Sequence, residues 1–191
     1  MIAKVPVSLL YQPLDTNTVA SHVSRFPAAL SHTNDFVTST LKEVGSRATE
    51  PGSRARAKVK VRHTHPVGDP FAIAHCTTDH ERLPIVGRIL EILWIHDDIT
   101  EELSIDAAQS EHISLADMLR LDIDPTAFEG KPPHQKLLAE AVREAIDFDP
   151  IAAPAMLSTM AKYLKTYDHT AVEFDSMEQY IPFRVLNVGY W

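Results

Sequence analysis

The chain has 191 residues, 45% hydrophobic and 23% charged, with a formal net charge of −8. That length suffices for one domain with a sizeable core, and the acidic balance argues against non-specific nucleic-acid binding. The lone cysteine, Cys76, excludes an internal disulfide and points to a reducing, cytoplasmic compartment, and no apolar run reaches about 18 residues, so no membrane span is expected.

Residues 1–30 carry Pro6, Pro13 and Pro27 and read as irregular, with a short strand at most. Their opening MIAKVPVSLLYQPLD is too mixed for a signal peptide. Residues 31–45 predict a helix that begins near Asn34 and stops at Gly45. In residues 46–65, Arg47, Arg54, Arg56, Lys58, Lys60 and Arg62 face only Glu50. RARAKVKVRH alternates basic and apolar residues there, which suits a solvated strand or a mobile loop; an anion-binding lid is the functional alternative. The HTH run, His63 to His65, fits a strand better than a helical zinc site. From His80 onward helices are predicted at 80–103, 106–121, 133–147, 151–168 and 175–191, with DPTAFEGKPP as a breaker after the second. The first of these is the strongest, and the third has Leu137, Leu138, Ala141, Val142 and Ile146 at helical spacing.

WIHDDITEEL, Trp94 to Leu103, places Asp97, Asp98 and Glu101 directly after an apolar helical run. At 100° per residue, Val86, Leu90, Leu93 and Trp94 fall within about 60° of Asp97, and Glu101 within about 40°. Asp97 and Glu101 are therefore expected on the inward, apolar face, with Asp98 flanking them. His96 falls off that face and reads as a packing or supporting residue. Three explanations are open: solvated acids where the helix leaves the core, acids paired with buried arginines, or ligands for a hard cation. Mg2+ takes oxygen ligands, and carboxylates at i and i+4 suit it. In MEQYIPFRVLNVGYW, Arg184 sits among Met177, Tyr180, Val188 and Trp191 on one apolar face. A salt-bridged core arginine or a diphosphate ligand would explain it, since a guanidinium meets phosphate oxygens two at a time. Pro182 is expected to kink or break this helix. No serine or cysteine shows a nucleophile signature.

LWIHDDITEEL together with QYIPFRVLNVGYW resembles the cyclase domain of fungal class I terpene synthases of the fusicoccadiene and ophiobolin type. GDPFAIAHCTTDHERLPIVGRI resembles the stretch that leads into that family's metal-binding helix. The likeness covers residues 66–191, the N-terminal part of such a domain; residues 1–65, with the basic stretch, match poorly. The resemblance implies an all-α, class I terpenoid synthase-like bundle around a deep apolar pocket. It implies Mg2+ at Asp97, Asp98 and Glu101, and Arg184 as the diphosphate-sensing residue. The implied reaction ionises a linear prenyl diphosphate, of C15 to C25 length, and cyclises the allylic cation. Phe71, Trp94, Phe183 and Trp191 are candidate aromatic faces for that cation, though each reads first as a core residue.

Two features depart from the family. Asn187, the substrate-side position three residues after Arg184, is acidic in the family. The second metal motif, with Asn, Ser/Thr and Glu at i, i+4 and i+8, does not follow; a near-miss at Asn34, Thr38 and Lys42 precedes the acidic tract and puts Glu43 one residue late. The sequence thus resembles the first part of a cyclase domain, incomplete at its C-terminus. Little turnover by these residues alone is expected. The alternative is a truncated, non-catalytic helical chain that binds a partner or a second copy of itself through an unfinished apolar face, or binds Mg2+ and diphosphate weakly.

Overall fold

Helix dominates the computed structural model, which describes residues 6, 9–16, 27–166 and 173–187. The helices are α1 (Asn34–Ala48), α2 (Arg54–Arg62), α3 (Pro70–Ala74), α4 (Arg82–Thr100), α5 (Ile105–Ala116), α6 (Pro133–Phe148), α7 (Ala153–Thr166) and α8 (Met177–Asn187). Strands β1 (Tyr11–Pro13) and β2 (Ala29–Ser31) pair antiparallel, with Tyr11 opposite Ser31. Among the described residues the fold is all-α apart from that ribbon. The chain forms two compact units, Met1–Ile95 and His96–Trp191, and the division falls inside α4.

In the first unit, α1 buries Val37, Leu41, Val44 and Ala48 at spacings of three and four. Val37 and Leu41 meet Phe71 of α3 and Leu83 of α4, with Leu90 packed at the margin. Helix α1 does not stop at Gly45. A Cβ on Gly45 would lie 2.2 Å from Val59 Cγ1, so this glycine permits a close approach of α2 and is not a terminator.

The basic stretch is a helix, not a strand or loop. Ser53 caps it by accepting from the Arg56 N–H at 3.1 Å, and Ala55 and Val59, at i and i+4, are buried. The two-residue alternation misleads because Val61 is left 70% exposed, so only the i, i+4 pair is used. Arg56 donates to Thr49 Oγ1 at 2.6 Å and to the carbonyls of Ser46 and Thr49, covering the open end of α1.

In the second unit, α7 packs on α5 and α6. Helix α6 buries Leu137, Leu138, Ala141, Val142 and Ala145, as its period predicts. Asp149 ends it and accepts from the N–H groups of Ile151 and Ala152 at 3.1 and 2.9 Å. The breaker forms a 3-10 turn at Pro125–Phe128, capped by Asp124, and Gly130 follows at φ +78°. Helix α8 is continuous through Pro182, contrary to the expected break. Residues 188–191, including Trp191, lie outside the described residues.

Candidate functional site

The acidic tract occupies the last turns of α4. Ile85, Ile89, Ile92 and Ile95 are buried and recur at helical spacing, which fixes one buried side of this helix. Asp97 lies roughly opposite them. Trp94 is 42% exposed, Asp97 and Glu101 are exposed, and Asp98 is 7% exposed. The expectation of Asp97 and Glu101 facing inward is therefore corrected: they face out, and Asp98 is the buried acid. The helix is apolar nearly all round, and Val86, Leu90 and Leu93 are only half-buried. Trp94, Asp97 and Glu101 share one exposed face at the end of the helix; farther back on that side Leu83 is buried and Leu90 packs on the α1 cluster, while the isoleucines are buried on the other side.

The backbone under these acids is regular. Glu101 N–H donates to the Asp97 carbonyl at 3.0 Å, and Thr100 Oγ1 donates to the same carbonyl at 3.1 Å. Bonds from Glu102 to Ile99 and from Leu103 to Thr100 then tighten the end, and Ser104 caps α5. No basic residue lies in the last turn of α4. The donors are all oxygen, the set a hard divalent cation takes.

Arg184 is exposed on α8, as are Met177, Ile181 and Val185. Of the face expected around Arg184, Met177 is exposed and Tyr180 half-buried, while Val188 and Trp191 lie outside the described residues. Asn187 is the last residue of α8, and its side chain lies outside the described part. Phe183 is half-buried against Phe174, 4.9 Å between ring centroids. Phe71 is 3% exposed and stacks near His63, His75 and Trp94, which makes it core. Asn34 Oδ1 accepts from the Asp69 N–H at 2.8 Å, so this residue anchors a loop to α1. Thr38 and Lys42 line an open pocket of 210 Å³ with His63, His65 and Asp69.

The sequence reading missed two polar clusters. In the first unit, His63 Nδ1–H donates to Asp69 Oδ2 at 2.6 Å, and His63 Nε2 lies 3.1 Å from Glu91 Oε2, out of hydrogen-bond alignment. Arg62 Nη1 donates to Glu91 Oε1 at 2.6 Å, and Arg62 Cζ lies 5.4 Å from the centroid of the Trp94 ring. Burial alone pushes the His63 pKa down, but the hydrogen bond to Asp69 and the close charges of Asp69 and Glu91 outweigh it and raise it from 6.5 to about 9. His63 is therefore an imidazolium between two carboxylates at neutral pH.

In the second unit, His96 at the end of α4, Glu111 and His112 on α5, and His134 and Gln135 at the start of α6 converge. His96 Nε2 lies 2.9 Å from His112 Nδ1, and Gln135 Nε2 donates to Glu111 Oε2 at 3.3 Å. Burial, with smaller contributions from His112 and His134, lowers the His96 pKa to about 3; burial also lowers that of His134, opposed by Glu111. His96 Nδ1 and His134 Nε2 are buried without a hydrogen-bond partner. Each such orphan costs about 1–3 kcal/mol. Residues 96, 111 and 134 share no short spacing, so no sequence motif could signal their meeting.

Among known proteins, the chain is similar to fungal terpene synthases. It is 34% identical over 114 residues to a sesterterpene synthase of Neocamarosporium betae, covering 57% of this chain and 16% of that protein. It is 28% identical over 163 residues to an ophiobolin F synthase of Aspergillus clavatus, covering 81% and 22%. It is 29% identical over 132 residues to a bifunctional terpene synthase of Fusarium proliferatum, covering 65% and 17%. The chain thus spans about a fifth of the length of the relatives it matches. No family model matches it.

Proposed function

We propose that this chain carries the acidic metal-binding part of a terpene cyclase site, acting on a linear prenyl diphosphate. The observation that supports it best is the all-oxygen set of Asp97, Asp98 and Glu101 at the end of α4, with Asp97 and Glu101 exposed to solvent. Asp97, Asp98 and Glu101 would hold Mg2+, and Mg2+ when bound supplies charge neutralisation to a departing diphosphate. Arg184, exposed on α8, would grip diphosphate oxygens with two parallel N–H donors. Asn187 would contribute an uncharged contact where the family has an acid. Trp94, exposed on the same helical face as Asp97, offers an aromatic face to a carbocation.

The test is calorimetric binding of inorganic pyrophosphate in the presence of Mg2+, with product analysis on C15, C20 and C25 prenyl diphosphates alongside. Mg2+-dependent pyrophosphate binding is expected, weakened at least about tenfold by Asp97→Asn or Arg184→Ala. Equal binding by the wild type and both variants would refute the assignment. A second reading, a non-catalytic chain that docks a partner, is favoured by its open apolar side chains, among them Ile151 at 89% and Val61 at 70% exposure. Absence of any pyrophosphate binding would favour it.

A further inference from the structure

We propose that His96, Glu111 and His134 form a second metal site, separate from the acidic tract and selective for a borderline transition ion, Zn2+ first. One ligand atom from each residue lies within 4.8 Å of the others. Three atoms so placed sit at most about 2.8 Å from a common centre, so shifts of about 0.7 Å bring them to the ~2.1 Å bonds of zinc to nitrogen and oxygen. His96 and His134 are 2% and 5% exposed, and the two nitrogens without partners are His96 Nδ1 and His134 Nε2. Those are the lone pairs a metal would take.

The surrounding groups fit this role. A ligating histidine normally donates its other ring N–H to a neighbour, which fixes the tautomer. With the metal on His96 Nδ1, the Nε2–H donates to His112 Nδ1 at the observed 2.9 Å. Gln135, itself 5% exposed, donates to the Glu111 carboxylate and orients it. Glu111 is half-buried, which leaves a route for the ion and room for a water as fourth ligand. Two imidazoles and one carboxylate suit zinc and its neighbours, whereas Mg2+ takes oxygen. Such a site would pin the end of α4, where the acidic tract begins, to α5 and α6. The inference does not rest on the terpene-cyclase reading.

The experiment strips the full chain with a chelator, then titrates it with Zn2+ by calorimetry, with the visible spectrum of Co2+ as an independent readout. One equivalent of Zn2+ is expected to bind, undisturbed by a large excess of Mg2+. Glu111→Gln and His134→Ala should each weaken Zn2+ at least about tenfold, while Asp97→Asn leaves it unchanged. Glu111 is half-buried and Gln is isosteric, so Glu111→Gln carries the test if His134→Ala fails to fold. No Zn2+ binding by the wild type, unaltered binding by Glu111→Gln, displacement by Mg2+, or loss with Asp97→Asn would each overturn the site.

Discussion

Stability should fall steeply between pH 6 and pH 9 because His63 is protonated in the fold at a pH where the unfolded chain releases that proton. Its pKa rises from 6.5 to about 9. A raised pKa stabilises the fold fully below 6.5, and that contribution is lost as pH climbs through 9. About 2.5 units at about 1.4 kcal/mol each limit the effect to about 3 kcal/mol, most of it expended by pH 9. That is a large share of the 5–15 kcal/mol typical of a folded protein. His63 is 2% exposed, as is Asp69, and Glu91 is fully buried, so solvent screens the trio little. Urea unfolding followed by circular dichroism at pH 6, 7, 8 and 9 measures the curve. His63→Gln should be destabilised at pH 6 and nearly flat across the range. A wild type whose stability is unchanged from pH 6 to pH 9, or a His63→Gln variant with the same slope as wild type, would refute the imidazolium assignment.

Glu91→Gln should cost about 3–5 kcal/mol, since it leaves Arg62 and His63 without their common buried anion; urea unfolding at pH 7 reads it, and a loss below 1 kcal/mol would count against the network. Gly45→Ala should destabilise by about 1–3 kcal/mol through the Val59 clash. Combined with Val59→Ala it should cost less than the two single changes added, a coupling read by a double-mutant cycle.

The helical elements from α4 onward were legible because their signals are local. The apolar period of α6, the breaker before it and the Asp149-Pro150 stop all act within a turn or two of chain. The acidic tract was legible for the same reason: three carboxylates within five residues are anomalous after an apolar run whatever surrounds them. Their direction was not legible. Helix α4 is apolar on almost every side, and both stripes pack: Leu83 and Leu90 against the α1 cluster and the isoleucines on the other side, so only packing shows that Asp97 and Glu101 are left exposed. The basic stretch failed similarly. Its period-two pattern is real, but Val59 facing Gly45 and Ser53 as a cap favour the helix, and the first of these is a contact between segments. The histidine clusters were least visible, because His63, Asp69 and Glu91, and likewise His96, Glu111 and His134, are spread along the chain. Sequence supplied the residues and their chemistry; only the packing of helices set those side chains within bonding distance, since a contact between distant segments has no local period to betray it.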